Sequence, residues 1–268
     1  MHSIDEIQDL LGDIDFVSRI SRNLGSSTVA LFAVFDDHGK DLLKLAGSGS
    51  LVTAGGLHGI LTAAHVWEEV IKKAVKVGIT RTDNIDHQYL MDVAAIVATV
   101  WKPTAPEDWS EHGPDLAFLR IPAVCVGEIQ ASQVFEHLDA PPKMLGVEGL
   151  ECWFALGTPG ELGVFTQVHA SVEIRGEPVN PEYISGAVDY YEFETDTSSP
   201  GRPKSLGGCS GGGLWRVVVY SSPVTGKVDW AQRFKGVVFW EFPEKDGRRT
   251  IRCHGERSIA ALVEKTKA

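Results

Sequence analysis

Residues 205–220 read Ser205-Leu206-Gly207-Gly208-Cys209-Ser210-Gly211-Gly212-Gly213-Leu214-Trp215-Arg216-Val217-Val218-Val219-Tyr220. Five glycines around one Cys-Ser pair mean that the backbone there approaches another group closely or takes positive φ. Three readings compete. A phosphate-cradling loop needs Lys and then Ser or Thr after the glycines, followed by a helix; here Leu214–Tyr220 is a β-type run. A plain hairpin turn is the ordinary alternative. The third is a nucleophile loop, in which the N–H groups of Gly208 and Ser210 converge on a developing oxyanion.

The strand after the glycines is one of many. From Ser27 onward the first half reads as short β segments at Thr28–Phe35, Leu42–Ala46, Ser50–Thr53, Gly59–Ala63, Val75–Ile79, Val93–Val100 and Leu116–Ile121. Asp36-Asp37-His38-Gly39-Lys40 is a hairpin turn, and Val66–Lys73 is a short helix. The second half continues with Glu151–Leu156, Val164–Val172, Tyr190–Glu194, Leu214–Tyr220, Gly236–Phe242 and Arg249–Cys253. Between them lies a Pro-containing stretch (Pro122, Pro141, Pro142) that reads as a linker. Two clusters of short strands predict two small β-barrels or sandwiches rather than βαβ units.

Helices flank this β region. Ser3 and Glu6 form a capping-box pattern, and Ile4, Ile7, Leu11, Ile14 and Val17 recur at helical spacing. Packing against the outside of the domain is the first reading of that helix, and docking of a regulatory partner is the second. Ser258–Lys267 closes the chain as a helix with Ser258 as its cap. The expected organisation is a helical extension at 1–24, a first β unit at 25–125, a linker at 126–148, a second β unit at 149–256 and a terminal helix at 257–268.

Composition bounds the function. The chain has 268 residues with 25 Lys+Arg against 36 Asp+Glu, a net charge of 25 − 36 = −11. Nucleic-acid backbones and anionic membranes are bound by clustered Lys and Arg, so neither is an expected partner. The acidic N-terminus has no basic n-region and does not read as a signal peptide. The longest apolar stretch, Val93–Trp101, is far short of a bilayer span. Cys125, Cys152, Cys209 and Cys253 are scattered, and read as free thiols in a reducing, cytoplasmic compartment. Nine histidines show no HExxH or paired metal spacing, so no metal or other cofactor is expected.

A nucleophilic serine needs a base, and the base needs an orienting acid. Leu61-Thr62-Ala63-Ala64-His65 places a histidine at the end of an apolar strand. Gly113-Pro114-Asp115-Leu116-Ala117-Phe118-Leu119 sets an aspartate at the mouth of another. Alone, the first reads as a core or turn histidine and the second as a turn or cap aspartate. Together with the glycine-rich loop they resemble the trypsin/chymotrypsin-like serine proteases. The resemblance rests on Thr62-Ala63-Ala64-His65, Asp115-Leu116-Ala117-Phe118 and Gly208-Cys209-Ser210-Gly211-Gly212, in the family's order His, Asp, Ser. Gly236-Val237-Val238-Phe239-Trp240 is similar to the late strand lining that family's substrate cleft. The similarity extends from about Ser27 to Ile259.

The resemblance implies an all-β fold of two antiparallel six-stranded β-barrels with the site between them. It implies that Ser210 attacks the scissile carbonyl, that His65 carries the proton, and that Asp115 orients His65. The Gly208 and Ser210 N–H groups would form the oxyanion hole. It implies a serine endopeptidase acting on protein or peptide substrates without a cofactor; the alternative is a catalytically silent module that binds peptides in the same cleft. Cys209 replaces the family's aspartate before the serine, which implies no activation by N-terminal cleavage. The missing disulfide beside His65 resembles bacterial intracellular members. The Gly-Gly pair directly after Ser210 favours serine over Cys209 as nucleophile. Phe239 stands where the family often has a serine beside the acid, so Asp115 is expected to lose one hydrogen bond. By the same alignment Lys204, Trp240 and Glu241 border the first substrate pocket. Glu241 would narrow it and Lys204 would favour acidic residues, unless both point to solvent.

Overall fold

The computed structural model describes residues 3–38, 40–81, 84–104, 112–140, 148–159, 163–164, 167–168, 172–185, 188–196 and 205–267. Two helices open the chain where the sequence predicts one. α1 (Ile4–Gly12) starts at Ser3, whose Oγ accepts the Glu6 N–H while Glu6 accepts the Ser3 N–H. Asp13 then ends that helix and starts α2 (Ile14–Gly25) by accepting the N–H groups of Asp15 and Phe16. An aspartate after a glycine suits a cap better than a helix interior, so the break falls there.

The first β unit comprises β1 (Thr28–Asp37), β2 (Lys40–Ala54), β3 (Leu57–Thr62), β4 (Lys76–Arg81), β5 (Asn84–Asp92), β6 (Val97–Trp101) and β7 (Leu116–Arg120). Their order is β5-β4-β1-β2-β3-β7-β6, antiparallel throughout. α3 (Ala123–Gln130) follows, then β8 (Glu136–His137), which pairs parallel with β2. This is an eight-stranded sheet with ends at β5 and β6, not the six strands expected. The additional edge strand, β5, is largely polar; an edge needs fewer apolar side chains than a central strand. The predicted runs Leu42–Ala46 and Ser50–Thr53 are one strand, continuous through Gly47-Ser48-Gly49. The 126–148 connection also carries structure: α3 runs across residue 125, and Ile129 is buried.

The second β unit contains β9 (Leu150–Gly157), β12 (Val172–Ser185), β13 (Val188–Asp196), β14 (Gly213–Ser221), β15 (Val228–Glu241) and β16 (Arg248–His254). They pair as β12-β13-β16-β15-β14-β9, and β9 pairs back to β12, so the antiparallel pairings form a closed ring. Between β9 and β12, β10 (Gly163–Val164) and β11 (Gln167–Val168) make a small separate ladder.

α4 (Glu256–Thr266) ends the fold, and its start corrects the expected cap. Gly255 is the N-cap, while Ser258 is buried inside the first turn. The Asp189 carboxylate from β13 accepts the Arg257 and Ser258 N–H groups at 3.1 and 2.7 Å. A carboxylate there satisfies orphan donors and complements the helix dipole.

One core cluster joins the whole molecule. Ile7, Phe16, Val17, Ile20 and Leu24 of the N-terminal helices pack with Leu61 and Phe118 of the first unit. Trp215, Val217 and Phe234 of the second unit and Ile259 and Leu262 of α4 complete it. One face of the opening helices is therefore part of the interior, while residues such as Ile4 and Ile14 stay exposed. No described helix is long and apolar enough to cross a membrane.

Candidate active site

Strand register brings His65 and Asp115 together. β3 pairs antiparallel with β7, with Thr62 opposite Ala117, so the residues just beyond β3 and just before β7 share one sheet end. There the His65 Nδ1 lies 2.6 Å from Asp115 Oδ2, and the His65 backbone N–H donates to Asp115 Oδ1 at 2.9 Å. Asp115 is 3% exposed. An ionised carboxylate accepts only, so the proton in this contact sits on Nδ1 and leaves Nε2 as a lone-pair base. Burial pulls the His65 pKa down. The hydrogen bond and charge of Asp115, with Glu69 adding, outweigh burial and hold it above the ordinary value.

The glycine-rich loop combines close approach with positive φ. Gly208 and Gly211 lie at φ 96° and 91°. A Cβ on Gly211 would overlap the Ser48 carbonyl, and one on Gly212 would overlap the Leu156 carbonyl. Within the loop, the Cys209 N–H donates to Leu206 O and the Gly212 N–H to Cys209 O, both at 2.8 Å. Reciprocal bonds also join it to β15: Gly211 N–H to Val238 O at 2.7 Å and Val238 N–H to Gly212 O at 2.8 Å.

The first unit holds the loop through Ser48, a residue the sequence reading passed over. The Ser48 N–H donates to Ser210 O, its Oγ donates to Gly208 O, and that Oγ accepts the Thr158 N–H, each at 2.8 Å. Thr62 Oγ1 in turn donates to Ser48 O at 2.7 Å. Among the described residues, the Gly208 and Ser210 N–H groups donate to no other group. Ser210 is half-buried, and its Oγ has no hydrogen-bond partner among the described residues. Gly47 is where the two halves meet. A Cβ on it would lie 2.8 Å from Val66 Cγ2, beside His65, and 3.0 Å from Ser210 O.

The neighbouring residues have distinct surroundings. Cys209 is buried in the core of the second unit with Trp153, Phe193, Leu206 and Ile251. Burial, with Glu241 adding, pushes its thiol far above the ordinary range, so it stays protonated. The Glu241 carboxylate is engaged: it accepts the Leu206 N–H at 3.1 Å and pairs with Arg249. It thereby anchors the segment leading into the loop instead of pointing free into solvent. Trp240 is half-buried and packs against the first core cluster. Lys204 lies outside the described residues.

Phe239 has no hydroxyl to offer Asp115, and its ring stacks on His254 at 4.1 Å between centroids. His254 Nε2 accepts the Asp115 backbone N–H at 3.0 Å. The sequence reading missed this residue because one histidine on an apolar strand reads as core. Among the described residues, no group of three or more His, Cys, Asp or Glu side chains is placed to hold a metal.

No family model matches the chain, and no curated protein matches it in sequence. The solved structures similar to it include a thermostable serine protease from an extremophilic microorganism. That protein is 11% identical, with a TM-score of 0.50, over 90% of this chain and 97% of its own. Likeness at such identity shows a shared protease-type all-β fold.

Proposed function

We propose that the chain is a serine endopeptidase of the double-barrel, trypsin/chymotrypsin-like type, with His65, Asp115 and Ser210 as its triad. The observation that carries this reading is the buried Asp115 gripping His65 through two hydrogen bonds, beside a loop with two N–H groups that have no acceptor among the described residues. Ser210 Oγ attacks the scissile carbonyl as His65 Nε2 takes its proton. The imidazolium formed is stabilised by Asp115 and returns the proton to the leaving amine. The acyl-enzyme is then hydrolysed by water activated through the same imidazole. The Gly208 and Ser210 N–H groups bind the tetrahedral oxyanion, each donor contributing about 3–4 kcal/mol to transition-state stabilisation. Serine–base contacts are often long in substrate-free enzymes, so a Ser210 hydroxyl without a partner among the described residues is compatible with this role.

The chemistry uses no cofactor. Substrate is a protein or peptide whose side chain is read by Lys204, Trp240 and Glu241. Lys204 favours an acidic residue there, while Glu241, already neutralised by Arg249, contributes bulk. Four free thiols suit the cytoplasm. A peptide library tests the proposal: cleavage lost on His65→Ala supports it. Peptides bound but left intact by the native protein would make it a recognition module instead.

A further inference from the structure

The proposed mechanism gives no role to His254, a buried titratable residue next to Asp115. His254, at the end of β16, is completely buried. Its ring is held on several sides. Phe239 stacks on it at 4.1 Å with 18° between the planes, and Tyr190 lies tilted at 5.6 Å. Gly113 closes over its edge at φ 56°, where a Cβ would come within 2.9 Å of His254 Cε1. Only a glycine fits between that ring and the turn leading into Asp115.

We propose that His254 is the positioning residue of Asp115, its neutral imidazole accepting the Asp115 amide N–H and so setting where the carboxylate grips His65. The inference rests on the triad reading. An imidazole nitrogen that accepts an N–H carries a lone pair, so Nε2 is unprotonated and the ring proton sits on Nδ1. That Nδ1 is buried and has no partner among the described residues. An unpaired buried donor is unfavourable, and a ring needed only for packing would be better supplied by phenylalanine. What the imidazole adds is the acceptor. Without it the Asp115 N–H, at the entrance to β7, would itself be buried and unpaired, and the main chain carrying the carboxylate would lose its anchor.

The contact also couples the units through the site. Asp115 belongs to the first and His254 to the second, so their bond fixes one relative to the other next to the His65–Asp115 pair. Ser48 does the same on the serine side.

The test pairs kinetics with a readout independent of turnover. His254→Phe keeps a stacked ring but removes the acceptor, whereas His254→Gln can place Oε1 near the former Nε2. With a cleaved peptide, His254→Phe should lower kcat by up to roughly a hundredfold with little change in KM, as small misplacements of catalytic groups do, and His254→Gln should recover most of it. Nitrogen-15 NMR of the native protein should report His254 as the Nδ1–H tautomer at neutral pH. The downfield His65 Nδ1–H resonance should weaken in the Phe variant and return in the Gln variant. An Nε2–H tautomer of native His254 overturns the inference even if His254→Phe does not fold. So does a folded Phe variant with unchanged kcat and His65 resonance. If the native protein cleaves nothing, the triad reading fails while the tautomer and the His65 resonance still decide the positioning role.

Discussion

In the proposed triad His65 carries the proton chemistry, and its pH behaviour follows from its surroundings. Burial alone would lower its pKa, but Asp115 and Glu69 raise it above the ordinary value. A general base works only when neutral, so kcat/KM should rise with pH on an acid limb whose midpoint lies above about 6.5, the unperturbed value. A midpoint below that value, measured on a small peptide, would contradict the electrostatic account. The same raised pKa stabilises the fold below the unfolded value, and that contribution is lost as pH rises through the folded one. Cys209 gives a second prediction at this scale. Its side chain fills the core of the second unit, so Cys209→Asp would bury an unpaired charge and should cost about 3 kcal/mol or more in urea unfolding. Cys209→Ala should cost far less and should retain reaction at Ser210.

Among elements, the loop from Leu206 to Gly213 depends on Ser48 at the middle of β2. Ser48→Ala removes the bond to Gly208 O and leaves the buried Thr158 N–H without an acceptor, while the main-chain bond to Ser210 O stays. An expected destabilisation of about 2–3 kcal/mol should appear in urea unfolding, because orphaned buried groups cost more than the mean hydrogen bond. Activity should fall through kcat. The legibility of the chain also divides at this scale. His65, Asp115 and Ser210 stood out because each sits at the end of an apolar run or among glycines with a chemical reason to be there. Ser48 did not, since Gly47-Ser48-Gly49-Ser50 reads equally well as a break between strands. β5 was missed because its residues are mostly polar, and β12 because Pro178 and Pro181 argue against a strand. The edge position of β5 and the register shifts in the β12–β13 pairing accommodate what local propensity disfavours.

Across the whole molecule, the two β units are joined by more than a linker. The helices before β1 bury Ile7, Phe16, Val17, Ile20 and Leu24 in a core shared with both units and α4. Deleting residues 1–25 should therefore lower thermal stability by well over 10 °C, since each buried aliphatic or aromatic side chain contributes about 1.5–3 kcal/mol. A truncated protein melting like the full chain in circular dichroism would mean these helices are dispensable. The all-β character and its two halves were legible in the strand spacing. Closure of the second set of pairings and the open path of the first were not, because closure depends on contacts between strands distant in sequence. His254 ties these scales together. Burial, opposed by Asp115 and Asp189, pushes its pKa down to about 4. A depressed histidine contributes stability that is fully present above its unfolded pKa of about 6.5 and is lost as pH falls toward the folded value.

The proposed triad makes Ser210 the nucleophile. Incubating the native protein with a serine-directed fluorophosphonate and mapping the adduct by mass spectrometry tests it most directly. One stoichiometric adduct on Ser210 is expected, absent in Ser210→Ala and strongly slowed in His65→Ala. No adduct on Ser210, or identical labelling in Ser210→Ala, would contradict it.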